Sequence, residues 1–241
     1  MLKSKVDILA FAAHPDDIEL AASGTIMKHI AQGKTVAIVD LTQGEMGSRG
    51  TIHTRYEEAA VAAEILEISH RENLKMEDGF FEINEANKRK IVEQIRRFQP
   101  EIVLANAMRD RHPDHGRAGQ LVSEACFLSG LVKVETTWEG EEQIACRPKA
   151  VYHYTQDYYI KPDFVVDVTD FYERKMASIQ AYKTQFFNPD SKEPETPISS
   201  RGFLDFVESR MREYGRPIGA KYAEGFTVER FIGVEDLFDL K

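Results

Sequence analysis

Two short runs carry the residues best suited to chemistry. The first, Ala13-His14-Pro15-Asp16-Asp17-Ile18-Glu19, sets an imidazole and two carboxylates at the end of the apolar run Val6-Asp7-Ile8-Leu9-Ala10-Phe11. The second, Arg109-Asp110-Arg111-His112-Pro113-Asp114-His115, follows the apolar run Glu101-Ile102-Val103-Leu104-Ala105-Asn106 in the same way. Imidazole nitrogen and carboxylate oxygen are ligands of catalytic metal sites, which use three protein ligands and keep one position open. His14 and Asp17 are spaced to address one point, and either His112 or His115 supplies the third ligand if the two runs meet. Asp16, beside a ligand, is then placed as a general base. The remaining histidine, charged through Asp114, would help hold an oxyanion. These parts make an amide or ester hydrolase driven by metal-activated water. No Ser or Cys stands in a nucleophile motif that would suggest an acyl enzyme.

Each piece has a plainer reading. A lone histidine near a strand end is more often a satisfied polar residue, and His29, His53, His70 and His153 are read that way. An Asp-Asp pair at a helix start is usually a cap. The recurrence of His, Pro and Asp at two strand exits favours the metal. Arg49, Arg55, Arg109 and Arg111 all fall on or just after the framing loops, which suggests recognition of a carboxylate or phosphate by forked donors. Salt bridging to surplus acids is the plainer account of any one of them.

The elements that must position these groups follow from periodicity. Val6–Phe11, Thr35–Leu41 and Glu101–Asn106 read as buried parallel strands. Asp16 to Gln32 has a helical apolar repeat ended near Gly33. A glycine-rich loop, Gln43 to Gly50, overhangs the first cluster. Thr54 with Glu57 reads as a capping box, with Tyr56, Ala60, Ala63 and Leu66 as the inward stripe of the next helix. Asn84 to Phe98 is amphipathic, with Ile91, Ile95 and Phe98 inward. Gly116 to Leu128 makes another helix, and residues 135 to 147 an exposed, irregular connection. Lys149–Tyr154 and Phe164–Val168 are later strands, and Asp170 caps a helix to about Lys183. The proline-containing stretch 187–199 is a solvated linker or a lid. Ser200 to Tyr214 is helical, stopped by Gly215, and Phe226 to Val234 is a last strand. Alternating strands and helices give an α/β, three-layer, Rossmann-like fold with a mostly parallel sheet. In such a sheet, ligands lie at the carboxyl ends of the strands.

The 241 residues fit one domain, 1–241, without internal repeats. A net charge of -9, from 31 Lys and Arg against 40 Asp and Glu, argues against nucleic-acid or acidic-membrane partners. No run of about 18 apolar residues spans a membrane. Met1 to Lys5 leads into a strand, not a signal sequence, which favours the cytoplasm. Cys126 and Cys146 are far apart and read as plain thiols. A dinucleotide-binding reading, suggested by Asp40 at the end of the second strand, fails because Asp16 and Asp17 would repel a pyrophosphate where glycines are needed.

Ala13–Glu19 paired with His112–His115 resembles the LmbE-like (PIG-L) family of zinc-dependent N-acetylglucosamine deacetylases. Gly44–Gly50 and Ser199-Ser200-Arg201-Gly202 extend the likeness toward the branch that deacetylates N-acetylglucosaminyl-malate in bacillithiol synthesis. The resemblance implies one Zn2+ per subunit, or Fe2+ or another divalent ion, held by His14, Asp17 and His115. It implies Asp16 as general base, His112 at the oxyanion with Asp114 as its partner, and Arg55 and Arg111 as substrate contacts. Arg49 and Arg109 extend that set by their placement. It implies a homo-oligomer, with hexamers among the known forms. Rival substrates are plain N-acetylglucosamine, a chitin-type oligosaccharide or another thiol-conjugate precursor. A non-catalytic metal-dependent sugar-binding module would not need Asp16 or His112.

Overall fold

In the computed structural model, residues 5–239 are described; Met1 to Ser4, part of the N-terminal stretch read above, lie outside them. The opening apolar run forms β1, Ile8–Ala12, buried throughout. The single helix expected over 16–32 is two: α1, Asp17–Ala21, and α2, Ser23–Ala31, with Ala22 between them at φ -136. The cause is Glu224, whose carboxylate accepts the Gly24 and Thr25 N–H groups at 2.9 and 2.7 Å and so caps a fresh helix start. The chain continues through β2, Val36–Thr42, α3, Ile52–Leu66, and β3, His70–Met76. Then come α4, Glu85–Phe98, β4, Ile102–Asn106, and α5, Pro113–Ser129, followed by a small hairpin of β5, Thr137–Trp138, and β6, Glu141–Glu142. The remaining elements are β7, Ala150–Tyr154, β8, Phe164–Asp167, α6, Tyr172–Gln180, α7, Arg201–Gly215, and β9, Ala223–Val228.

The sheet order is β3-β2-β1-β4-β7-β9-β8. Every pair from β3 to β7 is parallel, and only β9 runs against its neighbours β7 and β8. Alternate side chains of β1 enter opposite cores, as a strand's period of two requires. Leu9 and Phe11 pack with Ile91, Ile95 and Phe98 of α4 and Leu121 of α5. Ile8, Ala10 and Ala12 pack with Ile18, Ile26 and Leu66 on the other face. A third apolar cluster joins Ala59 and Ala62 of α3 to Ile179 of α6, Tyr182 just after it, and Val207 and Met211 of α7. This is the three-layer α/β arrangement read from the sequence.

Several local expectations are corrected. The cap of α3 is Thr51, whose hydroxyl and that of Thr54 each accept the other's backbone N–H, at 3.1 and 2.8 Å. Its inward face is Arg55, Glu58, Ala59, Ala62 and Leu66, while Tyr56 and Ala60 are exposed. The stripe is rotated because Arg55 and Glu58 are buried by polar partners, which a hydrophobic pattern does not register. Strand β3 was not expected; six of its seven residues, including His70, Arg71, Glu72 and Asn73, are only partly buried or exposed, as suits a sheet edge. Asp170 does not cap α6. The Asp167 carboxylate accepts the Thr169 N–H at 3.0 Å and starts a 3-10 turn, Thr169–Phe171, before the helix. Gly215 is the last helical residue of α7, φ -71, and the stop falls at Gly219, φ 71, after a further 3-10 turn. β9 ends at Val228, since β7 and β8 offer it no partner beyond that register.

Candidate active site

The chain leaves β1 toward β2 and β3 on one side, then returns to place β4 on the other. The strand order therefore reverses between β1 and β4, and open α/β sheets bind ligands in the crevice beyond such a point. Both His-Pro-Asp runs emerge there. His14 and His112 ring centroids are 4.6 Å apart, and His14 and His115 are 5.5 Å apart. Helix α5 comes close to the strand end: a Cβ on Gly119 would lie 2.7 Å from the Asn106 carbonyl oxygen. That approach brings His115 to β1.

Asp17 is the most heavily supported group. One carboxylate oxygen accepts the His14 N–H at 3.0 Å and Asn106 Nδ2 at 2.9 Å; the other accepts Gln156 Nε2 at 2.6 Å. His115 Nε2 stands 3.2 Å from Asp17, and His14 Nδ1 stands 3.8 Å away. Each of these imidazoles holds a carboxylate with its other nitrogen: His14 Nε2 meets Asp78 at 3.0 Å, and His115 Nδ1 meets Asp110 at 2.7 Å. A metal-binding histidine characteristically donates its second N–H to a carboxylate in this way, which fixes the tautomer and turns the free nitrogen to the ion. The donor set thus fits a divalent cation among His14, Asp17 and His115. The sets whose ligand atoms all lie within 4.8 Å of one another are others: His14 with His112 and His115, and His14 with Asp78 and Asp114. The paired nitrogens argue against both sets. Asp78 and Asp114 already face His14 Nε2, and His112 Nδ1 accepts the Asp114 N–H at 3.3 Å, which leaves its proton on Nε2.

The electrostatics separate the groups by role. Burial opposes charge on His14, but its hydrogen bonds to the Asp114 and Asp78 carboxylates and the Asp17 charge outweigh it and raise the imidazole to about 10. His115 is likewise raised to about 9, against its burial, by Asp17 and Asp110. Asp17, despite burial, is held well below the usual carboxylate range by His115 and His14. Burial drives Asp16 the other way, to about 7, with Arg55 opposing and Asp17 reinforcing the rise. His112 is lowered to about 4 by burial and by the charges of His14 and His115. It is neutral near pH 7, so the charged imidazolium expected from Asp114 is corrected. The Asp114 carboxylate instead takes the Gly79 N–H at 2.7 Å and lies 2.9 Å from Arg117 and 3.4 Å from His14.

Asp16 sits on strained backbone, φ 141, a region that disfavours any residue with a Cβ. Arg55 steadies it, donating from Nη1 to the Asp16 carboxylate and the Pro15 carbonyl, both at 2.8 Å. The other expected arginines divide. Arg49 is turned to the 187–199 stretch, donating to Ser191 at 2.7 Å and Pro194 at 3.4 Å, while the Gly50 N–H reaches Glu193 at 2.7 Å. That stretch is pinned as a cavity wall, through Thr196, Pro197 and Ile198. Arg111 pairs with Asp157 at 2.9 Å. Arg109 leans over Tyr158, 5.8 Å from its ring centre, and does not line the cavity of about 320 Å³ that holds His14 and Asp16. Sequence reasoning missed Asp78, Asp110, Asn106, Gln156 and Arg210. Asp78 follows the unrecognised β3, and Gln156 and Arg210 stand outside any motif.

Comparison with known proteins bears on the fold and the class of chemistry. Residues 9–126 match the PIG-L family, described as GlcNAc-PI de-N-acetylase. A diacetylchitobiose deacetylase from Thermococcus kodakarensis is 30% identical over 229 residues, covering 90% of this chain and 81% of that protein. A 4-oxalmesaconate hydratase from Pseudomonas putida is 29% identical, with 73% of each chain covered. A probable N-acetyl-alpha-D-glucosaminyl L-malate deacetylase 2 from Bacillus cereus is 28% identical, covering 74% of this chain and 83% of that protein. Among solved structures, the conserved protein TT1542 from Thermus thermophilus superposes with a TM-score of 0.84 at 32% identity, covering 95% of this chain and 98% of the other. The chain belongs to the PIG-L family. No helix among the described residues is long and apolar enough to cross a membrane.

Proposed function

We propose that this protein is a metal-dependent N-deacetylase that hydrolyses the acetamide of an N-acetylglucosaminyl compound, with zinc held by His14, Asp17 and His115. The observation that carries it is the pairing of His14 with Asp78 and of His115 with Asp110, which turns the two remaining ring nitrogens toward one carboxylate. When bound, a divalent ion supplies Lewis acidity, which favours ionisation of water near neutral pH and draws electron density from a carbonyl. The protein's own groups do the rest. Asp16, raised to about 7, takes a proton from the attacking water; a base with its pKa near the working pH is the effective one. His112, neutral with its proton on Nε2, donates a hydrogen bond to the tetrahedral oxyanion. Asp16 then returns its proton to the leaving nitrogen, and acetate and the free amine depart. Arg55 holds the Asp16 carboxylate in place through the cycle.

For the remainder of the substrate, the malate conjugate and diacetylchitobiose are both supported by relatives of similar identity. Arg49, Arg55 and Arg111 have partners within the protein, and the fourth arginine of the cavity wall, Arg210, favours an acidic substituent, hence N-acetylglucosaminyl-malate. The test is release of acetate and amine by zinc-loaded protein given N-acetylglucosaminyl-malate, diacetylchitobiose and N-acetylglucosamine side by side. Acetate from any of them, abolished by chelation, is the expected result, with the malate conjugate fastest. The hydratase relative sets the alternative: no acetate, but water added across the double bond of an unsaturated polycarboxylate, would overturn the deacetylase reading.

A further inference from the structure

Four arginines line the site cavity: Arg49, Arg55, Arg111 and Arg210. Three are committed. Arg49 holds the 187–199 wall, Arg55 holds Asp16, and Arg111 is paired with Asp157. Arg210 is different. It is 8% exposed, its Nη1 is buried without a partner, and it makes no ion pair with any described residue. Its guanidinium carbon stands over the Phe206 ring, 5.1 Å from the centroid. The groups whose charges reach it are engaged elsewhere: Tyr214 donates its hydroxyl to the Ile160 carbonyl, Asp110 is held by His115, Asp157 by Arg111, and Glu224 by Lys175.

A buried guanidinium with open donors is expensive to keep, because its desolvation is not offset by an ion pair. A folded protein retains such a group where something else completes it. The group lies on α7, a helix packed into the third apolar cluster through Val207 and Met211, so its position is fixed by the fold. A rigid, forked and unoccupied donor in a site cavity matches an oxyanion bidentately. Burial disfavours its charge, and a bound anion would offset that penalty.

We propose that Arg210 is the anion-recognising residue of this cavity, binding a carboxylate or phosphate on the part of the substrate remote from the acetamide. This rests on the deacetylase reading for the identity of the reaction, but not for the existence of the anion site. Arg210 lies on α7, outside the framing loops that carry the other three cavity arginines or lead into them.

The test is calorimetric titration of L-malate and of inorganic phosphate into zinc-loaded wild type, Arg210→Met and Arg210→Lys. Affinity for one anion falls about tenfold to a hundredfold in Arg210→Met, as expected for removing a charge-assisted pair, and less in Arg210→Lys. Whichever of the two anions shows the fall identifies the source as carboxylate or phosphate. In parallel, the ratio of kcat/KM for N-acetylglucosaminyl-malate, or N-acetylglucosamine 1-phosphate, to that for N-acetylglucosamine falls by the same factor in Arg210→Met, through KM. Arg210→Met also melts higher than wild type without ligand, by about 2 to 4 °C, since an unpaired buried charge has been replaced by an apolar chain. Unchanged affinity for both anions in Arg210→Met overturns the proposal, whatever its melting temperature. Failure of every acetamide with the affinity loss intact removes the reaction and leaves the anion site; acetamide turnover with an unchanged ratio and affinity does the reverse.

Discussion

The two His-Pro-Asp corners share three letters and fold differently. At the exit of β1, Pro15 leads into Asp16 at φ 141, and the helix that follows, α1, is five residues long. At the exit of β4, His112 is an unstrained N-cap, φ -79 and ψ 128, and Pro113 opens the 17-residue α5. The second corner uses proline where a helix accepts it best, at the first position, whose N–H has no partner in any case. The first spends backbone strain to aim Asp16 away from Asp17, so that one carboxylate is supported by His14, Asn106 and Gln156 and the other by Arg55. Adjacent carboxylates with divergent environments take different roles: Asp17 stays ionised while Asp16 titrates near neutrality. The lesson is that a repeated motif supplies the atoms, and the backbone decides which of them face one another.

The largest expected effects separate the corners by chemistry. Asp16→Asn should retain metal and lose about 10²- to 10⁴-fold in kcat, the contribution of a positioned acid-base group. His112→Ala should also retain metal and lose about 10²- to 10³-fold, as for removal of an oxyanion donor. Metal content after gel filtration, measured with kcat, checks both. Loss of metal in His112→Ala would make the three-imidazole set the binding site and dissolve the distinction between the corners. Smaller effects should fall equally on both. Asp78 steadies His14 from the exit of β3, and Asp110 steadies His115 just after β4. Asp78→Asn and Asp110→Asn should each weaken zinc binding about 10- to 100-fold in a competition titration with a chromogenic chelator. A loss confined to one of them would mean that only one corner presents its imidazole through a carboxylate.

How far the sequence was legible follows the same division. His14, Asp16, Asp17, His112 and His115 were visible because each lies within a few residues of a buried strand end, and β1, β2 and β4 are continuous apolar runs. The groups that tune them were not. Asp78 follows a polar edge strand whose residues pair with charges, Arg71 with both Asp40 and Glu19, instead of filling a core. Gln156 and Arg210 reach the site only through the pairing of β7 with β4 and the packing of α7, contacts between residues far apart in the chain. The arginines were legible as a group, and Arg49, Arg55 and Arg111 do line the cavity, but their individual partners were not legible. Arg49 and Arg55 lie in the right loop and helix, but Nη2 of the first is given to Ser191 and Nη1 of the second to Asp16, a matter of geometry that spacing does not encode.

The subtlest expected effect concerns the strain itself. Asp16 and His112 are both helix N-caps, where glycine is favoured over alanine on any backbone. That shared preference is a baseline against which φ 141 can be weighed. Asp16→Gly and Asp16→Ala both delete the carboxylate that Arg55 holds, so the loss of that pair cancels between them. His112→Gly and His112→Ala cancel the imidazole in the same way. What is left is the backbone: alanine at 16 must occupy a region that costs a residue with a Cβ about 1 to 3 kcal/mol, whereas alanine at 112 does not. The glycine-over-alanine advantage at 16 should therefore exceed that at 112 by about 1 to 3 kcal/mol in urea denaturation of the metal-free variants. Equal advantages would mean that Asp16 is aimed without stored strain. Its divergence from Asp17 would then have to come from the Arg55 contact alone.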